Sequence, residues 1–451
     1  MLKSPSPARW LWLGLLAVVV WYPLMTWLVG FPPSGKLDFG LLFNSMAEHL
    51  LAGRFDVDPV IGGAEGFDIG GRTYSYFGIF CALLRIPLVL LGYARTDVTW
   101  WSCLIATWIA VWFQSRAIML IWTPNSPPRQ AWLAAGLLIS VLFGGQHIQF
   151  LRPSLYQEPI NWAFAEAMGF VWLATRGLAT PRGFDRRTLC WMATCAGLAL
   201  LTRVSFGVGL YAAFGLLLLA RGRVGSWLAP GSILLVFAVL TGIVNEGRWG
   251  DPFTFADFSK YNLSQDVYST RLVRLAAYGN FNPARIWLGL SYYFLPIWVW
   301  IRSDGHVLFA ESQAALMDAM ELPPGSFFVT DGFLLGLAAA GILAIRDRSR
   351  AALLLGSGIP PVLMLCATSM THRYRMEFYP FLFLAALFGV AVLARRPDTT
   401  PGFRATVIAS VIAGVIASHA MLELSARSRW GPGEVYLEHY GLVGNYTRQN
   451  W

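Results

Sequence analysis

Acids are scarce in this chain, and seven of them fall between Gly30 and Asp97: Asp38, Glu48, Asp56, Asp58, Glu65, Asp68 and Asp97. Asp38 comes nine residues after the uncharged run Trp10–Val29. At twenty residues that run can cross a bilayer core of about 30 Å, which puts Asp38 at a water–lipid boundary. An ionised carboxylate there can take the proton of an attacking hydroxyl as a new bond to carbon forms. It can equally cap the amphipathic stretch Leu41–Leu51, which reads as a helix lying along the membrane surface. Asp56-Val57-Asp58 has a spacing at which two carboxylates hold a divalent cation against a phosphate, and acids before Pro59 also form turns. Asp56 and Asp58 are therefore the metal candidates.

Glu158 begins an apolar run, in Arg152-Pro153-Ser154-Leu155-Tyr156-Gln157-Glu158-Pro159, and Glu166 lies about two turns deeper. An acid inside a bilayer costs roughly 2.5–3.5 kcal/mol on insertion scales, so it needs a partner or a purpose. Glu158 also has the favourable dipole position at a helix N-terminus. Arg203, Arg373 and Arg375 fall at outer tips of short turns, where cations run against the positive-inside tendency. Guanidinium forks bind phosphate bidentately, which gives these three a chemical reason to be there; contact with lipid headgroups is the other. At a hairpin tip, Arg203 is expected to leave no buried partner unpaired when removed. Asn245-Glu246-Gly247-Arg248-Trp249-Gly250-Asp251-Pro252-Phe253 opens a long polar segment running through Lys260-Tyr261. Such aromatics with mixed charges, Tyr156 included, suit stacking against sugar faces.

These side chains must be positioned by membrane helices. Of 451 residues 56% are hydrophobic and 13% charged, against about 25% charged in soluble domains, and mean hydropathy is +0.53. The net charge of +9 resides largely in arginines of short loops, which orient helices and touch anionic lipid, so no nucleic-acid partner is implied. Cys81, Cys103, Cys190, Cys195 and Cys366 lie mostly in apolar runs and show no metal spacing or disulfide framework. Spans are expected near 10–29, 98–122, 131–148, 159–177, 188–202, 204–221, 228–245, 331–346, 351–368, 376–394 and 404–424. Runs 74–92 and 286–301 are ambiguous. Leaving both out of the membrane collects the basic loops on one side, as the positive-inside tendency requires. Run 188–221 would be about 50 Å long as one helix, so it reads as a hairpin with its tip near Thr202-Arg203.

The expected architecture is an all-α polytopic membrane protein, a single integral membrane domain over 1–451 with about eleven spans. Residues 30–97 form a first extracytoplasmic loop with interfacial helices, 246–330 a large extracytoplasmic loop, and 425–451 an extracytoplasmic tail. The N-terminus is cytoplasmic and the first span a retained anchor.

In order and membrane side the motifs resemble the polytopic GT-C glycosyltransferases, which include protein O-mannosyltransferases and the aminoarabinose transferases of lipid A. The resemblance covers about residues 8–395. It rests on the early Asp38 after one span, on Gly70-Gly71-Arg72-Thr73-Tyr74-Ser75-Tyr76-Phe77-Gly78, and on Ser154–Pro159. Gly197–Arg203, Asn245…Phe253 and Arg373-Tyr374…Glu377-Phe378-Tyr379-Pro380 carry the rest. It implies a hexosyl- or pentosyltransferase that moves a sugar, with inversion, from a polyprenyl-phosphate donor to a surface glycan, lipid or protein. The site would face outward from a bacterial inner membrane, in contact with membrane lipids. By the same resemblance Asp38 and Glu158 are the catalytic acids and Arg203 or Arg373 the phosphate ligands. Many members carry a second acid next to the first-loop Asp, but here Phe39 follows Asp38, and this departure bears on whether a divalent metal takes part. The runner-up is a secondary transporter or flippase-like protein for a lipid-linked or anionic substrate, which predicts broken helices, paired charges near the midplane and a repeat. Pro360-Pro361 and Glu166 fit that pattern, but no matching second half is evident.

Overall fold

The computed structural model describes residues 7–32, 39–180, 183–222, 227–262, 270–296, 299, 309–317, 319–320, 325–395 and 399–427. Asp38 and the tail beyond Arg427 lie outside the described residues.

Each of the eleven apolar runs read as spans is helical. Helix α1 (Pro7–Leu28) shows Trp12, Leu16, Val20 and Trp27 on its outside, the pattern expected of a lipid-facing helix. The first loop follows with α2 (Leu42–Leu51), α3 (Pro59–Gly62), a hairpin of β1 (Phe67–Ile69) with β2 (Arg72–Tyr74), and α4 (Phe80–Leu90). Gly70 and Gly71, both at positive φ, make the tight turn of that hairpin. Then come α5 (Thr99–Ile121), α6 (Pro128–Phe143), α7 (Gln157–Ala179), α8 (Arg186–Thr202), α9 (Val204–Arg221) and α10 (Leu228–Trp249). The large loop carries short helices at Thr270–Tyr278, Ile286–Phe294 and Ala310–Leu316. The last part of the bundle is Gly332–Leu343, Arg348–Ser357 with Ile359–Cys366, Tyr379–Leu393 and Pro401–Arg427.

Among the described residues, seven stretches are long and apolar enough to cross a membrane: Leu11–Leu28, Thr99–Ile121, Pro128–Phe150, Val204–Arg221, Leu228–Trp249, Arg348–Cys366 and Pro401–Ala426. The other four expected spans are either short, like Gly332–Leu343 and Tyr379–Leu393, or polar, like α7 and α8. Helix α7 shows why. It lies in the middle of the bundle between α5, α8 and α9, with Glu158, Asn161, Glu166 and Thr175 buried against neighbours, so little of it has to be apolar enough for lipid. The ambiguous run 74–92 yields the eleven-residue α4, too short to span, and the described residues of 286–301 give the nine-residue helix Ile286–Phe294.

The expected hairpin at 188–221 is present. Arg203 alone is extended between α8 and α9, with φ −155° and ψ 113°. Gly207 packs so closely on Leu200 that a Cβ would lie 2.5 Å from its Cα, which is what lets the two helices fold back on a one-residue turn.

A second, smaller core explains how the first loop is held. Leu42, Phe43, Met46, Val57, Phe77, Cys81 and Ala82 of the loop pack with Leu155, Leu201 and Val244, which stand just before α7, at the end of α8 and late in α10. The loop therefore sits on three helix ends at once. Its base is tied by Asn44 Nδ2, which donates to Ala94 O and Thr96 O at 2.8 Å each, and by Thr99 Oγ1, which donates to Gly40 O at 3.2 Å.

Candidate functional site

Where the first loop meets the α8–α9 tip and the end of α10 there is a cavity of about 470 Å³. Tyr76–Ile79 and Leu200–Ser205 wall one side, and Thr241, Val244, Asn245 and Arg248 of α10 wall another. The spacing 241, 244, 245, 248 places these four on one helix face. Phe253–Ala256 and Phe258 of the large loop, Asn280 and Phe281, and Met364, Ala367–Ser369 and Tyr374 complete it. The seat of the loop depends on Gly78: a Cβ there would fall 2.1 Å from Leu201 O and 2.4 Å from Thr202 O.

Arg203 enters this cavity from the helix tip. Its Nε donates to Glu377 Oε1 at 2.7 Å, its second ion-pair contact to the same oxygen is 2.6 Å, and its guanidinium lies 5.0 Å from the Tyr374 ring centre. Glu377 is fully buried, so the hairpin-tip arginine does have a buried partner, contrary to expectation. The turn His372–Glu377 folds into the bundle instead of projecting from it, and this places the carboxylate. Arg373 also reaches the Tyr374 ring, at 5.5 Å, and stacks 4.6 Å over Tyr156.

Tyr156 leads to the residue that sequence reasoning passed over. The Tyr156 hydroxyl donates to Glu65 Oε1, and the Tyr261 hydroxyl donates to Glu65 Oε2 at 2.8 Å. Glu65 is buried at the end of a short turn in the first loop. Burial first and the Glu65 charge second raise the Tyr156 and Tyr261 phenols far above their ordinary values, so both stay protonated donors. Tyr76, which lines the cavity, is raised by the same two causes. Phe67, Tyr76, Trp249, Phe258 and Tyr261 pack edge-on and tilted around this point and join the first loop to the large one. Two sequence candidates, Tyr156 and Tyr261, thus meet on Glu65, a third, Arg373, stacks over Tyr156, and Arg203 is linked to them through Tyr374.

Other candidates stand elsewhere. Glu158 lies outside the cavity lining, fully buried, with Oε1 accepting from Arg85 at 2.5 Å and from Ser102 Oγ at 2.6 Å. It ties α4 to α5 and α7. Arg375 was expected at an exposed tip. It is instead buried, donating to Gln149 Oε1 at 3.0 Å, Thr330 Oγ1 at 2.6 Å and Asp331 Oδ2 at 2.9 Å. Lys260 is exposed on the large loop, next to the buried Tyr261 but pointing to solvent.

The metal candidates do not form a seat. Asp56 gives one oxygen to His49 Nδ1 at 3.0 Å and the other to Arg54 at 3.2 Å, while Asp58 Oδ1 caps α3 through Val60 N at 2.9 Å. Burial pushes the Asp56 carboxyl up, but His49 and Arg54 outweigh it and hold it below its ordinary value. Among the described residues no group of three or more His, Cys, Asp or Glu side chains could hold a metal ion.

Arg248 and Glu377 were in view in the sequence but not singled out as site residues. The α10 stripe at helical spacing could have revealed Arg248; nothing local announces Glu377.

No protein-family model matches the chain, and no curated protein matches it. Among solved structures it is similar to an Archaeoglobus fulgidus oligosaccharyltransferase. The archaeal oligosaccharyltransferase AglB, in complex with an inhibitory peptide and a dolichol-phosphate, matches with TM-score 0.46 and 13% identity, over 94% of this chain and 59% of that one. The apo form matches with TM-score 0.49 and 14% identity, over 94% and 59%. The form tethered to an acceptor peptide containing the NVT sequon through a disulfide matches with TM-score 0.48 and 13% identity, over 94% and 58%. The chain thus spans about three fifths of the length of these structures.

Proposed function

We propose that the protein is a membrane glycosyltransferase of the GT-C kind, with about eleven spans and its loop-bearing end outside the cell membrane. It would move a hexose or pentose from a polyprenyl-phosphate donor to an extracytoplasmic glycan, lipid or protein acceptor. The observation that carries this reading is the cavity at the loop-bearing helix ends: apolar walls entered by Arg203, beside a carboxylate held by tyrosines under a double loop.

In this reading the acceptor hydroxyl attacks the anomeric carbon from the face opposite the phosphate. The bond from that carbon to the phosphate oxygen breaks as the new one forms, and the configuration inverts. Asp38 takes the hydroxyl proton. The leaving lipid phosphate keeps the electron pair, and guanidinium groups of the cavity stabilise it. Arg203 and Arg373, on the same tyrosine, are the substrate-binding candidates at this end. The Glu65 cluster orders the floor on which a sugar can stack, with Tyr156 and Tyr261 fixed by their hydroxyls. Asp56 and Asp58 are engaged with protein partners, so a divalent ion taking part in the step would be held by other residues.

The test is a deletion strain whose surface glycans, lipids and proteins are compared with wild type by mass spectrometry, and then complemented with the wild-type or Asp38→Asn chain. Loss of one sugar, restored only by wild type, is expected. Unchanged glycans in the deletion strain would overturn the reading.

A further inference from the structure

We propose that Arg248 anchors the anionic head of the lipid substrate in the cavity, and that the cavity is charged for one phosphate rather than two. This rests on the transferase reading and goes beyond it, since that reading was built on Arg203 and Arg373.

Among the described residues, buried or half-buried arginines that face a carboxylate include Arg85 with Glu158, Arg203 with Glu377 and Arg375 with Asp331. Arg285, also buried, donates to the backbone carbonyls of Gly279, Asn280, Leu316 and Cys366. Arg248 is different. It is 5% exposed, donates one nitrogen to Phe77 O at 2.8 Å, and has only the Met46 sulfur at 3.5 Å for the other. Its Nε has no hydrogen-bond partner, and among the described residues no carboxylate pairs with it. A guanidinium offers five donors, and a cation taken out of water without a counter-ion is unfavourable. The position of Arg248 at the C-terminal end of α10 is favourable for a cation but does not fill those donors.

What would fill them is set by the cavity. Beside Arg248 the walls are apolar, with Leu200, Val204, Val244, Phe281 and Met364 among them, so the ligand must carry hydrocarbon as well as an anion. The charged residues that line the cavity, among those described, are Arg203 and Arg248. Glu377 already neutralises Arg203, which leaves one uncompensated positive charge. A phosphodiester such as a lipid-phosphate sugar carries one negative charge and balances it. A diphosphate diester carries two and would leave one unmatched in a largely apolar cavity.

The experiment uses the full-length protein in nanodiscs of zwitterionic phosphatidylcholine, with binding measured by calorimetry. The probes are farnesyl methyl phosphate with one charge, farnesyl methyl diphosphate with two, neutral farnesol, inorganic phosphate and phosphatidylglycerol. Farnesyl methyl phosphate should bind at least tenfold tighter than farnesol, inorganic phosphate or phosphatidylglycerol, and no weaker than the diphosphate. Arg248→Gln should weaken farnesyl methyl phosphate roughly ten- to a hundred-fold while leaving farnesol unchanged, the usual scale for a charge-assisted contact. Arg248→Lys, which keeps the charge and loses the fork, should recover part of this and guards against a folding defect in the glutamine variant.

Equal binding of farnesyl methyl phosphate by Arg248→Gln, or loss of farnesol binding in parallel, would overturn the anchor. A diphosphate bound tenfold tighter than the monophosphate would overturn the charge assignment, and phosphatidylglycerol bound as well as farnesyl methyl phosphate would make this a headgroup site. Selective, Arg248-dependent binding without sugar transfer would overturn the transferase reading and leave this site standing. Transfer at the wild-type rate by Arg248→Gln would do the reverse.

Discussion

Arg203→Ala should destabilise the protein through Glu377, and replacing Glu377 as well should restore most of the loss. The two side chains meet at 2.6 and 2.7 Å on one carboxylate oxygen, with Glu377 fully buried and Arg203 keeping 18% of its side-chain exposure. At an effective dielectric of about 20, unit charges roughly 4 Å apart attract by about 4 kcal/mol. Breaking a buried pair from one side typically costs about 3–5 kcal/mol, because the remaining charge is stranded. The partial exposure of Arg203 lets water approach Glu377 once the guanidinium is gone, so the low end, about 3 kcal/mol, applies here. In the Arg203→Ala, Glu377→Gln double variant no charge is stranded, and about 2 kcal/mol should return as coupling between the sites. The assay is unfolding in mixed detergent micelles for the wild type, both singles and the double. If Arg203→Ala unfolds within about 1 kcal/mol of wild type, or if the double variant loses the sum of both singles, the pair is not the element argued here. The double variant also separates fold from function: it should regain stability without regaining donor use.

Asp38→Asn should insert and accumulate normally while transfer falls roughly a hundred-fold, the scale of a lost general base; near-normal product would move the base elsewhere. Glu65→Ala should leave the Tyr156 and Tyr261 hydroxyls without an acceptor and cost on the order of 2–4 kcal/mol, whereas Glu65→Gln keeps one carbonyl acceptor and should cost less; equal melting of the two variants would show that Glu65 does not organise the loops. For topology, a cysteine at the exposed Tyr93 should react with an impermeant thiol reagent from outside and one at the exposed Arg187 should not, in a chain whose Cys190 and Cys195 are serine. Outside labelling at Arg187 would reject the proposed orientation.

The helices were legible because apolar runs and arginine-flanked turns are one-dimensional signals. The break at Arg203 was legible from length alone, since a 34-residue helix could not fit the bilayer core. What could not be read was which arginines are spent inside the protein. Arg203, Arg373 and Arg375 look alike in sequence, each beside an apolar run. Yet Arg375 is enclosed by Gln149, Thr330 and Asp331, while Arg373 stacks on two rings of the cavity region. The difference comes from residues 44 and more positions away in the chain, brought close by the inward fold of the His372–Glu377 turn. Glu65 was hidden for the same reason: its partners Tyr156 and Tyr261 are 91 and 196 residues away.

The two faces of α10 connect the cavity with the bilayer. Leu235, Val236, Val239, Leu240 and Ile243 are exposed on one side, while Thr241, Val244, Asn245 and Arg248 line the cavity on the other. From Thr241 to Arg248 is about two turns, or roughly 10 Å, a stretch that carries Val244 among its polar residues and shares the cavity with the apolar Leu200, Val204 and Met364. A water-soluble sugar donor would gain nothing from that apolar wall. A molecule with a hydrocarbon chain can lie along it, keep its tail toward lipid and bring its head to the arginines under the first loop. The helix whose outer face meets the membrane is thus the one whose inner face carries the uncompensated charge, and that juxtaposition favours a lipid-borne substrate over one arriving from water.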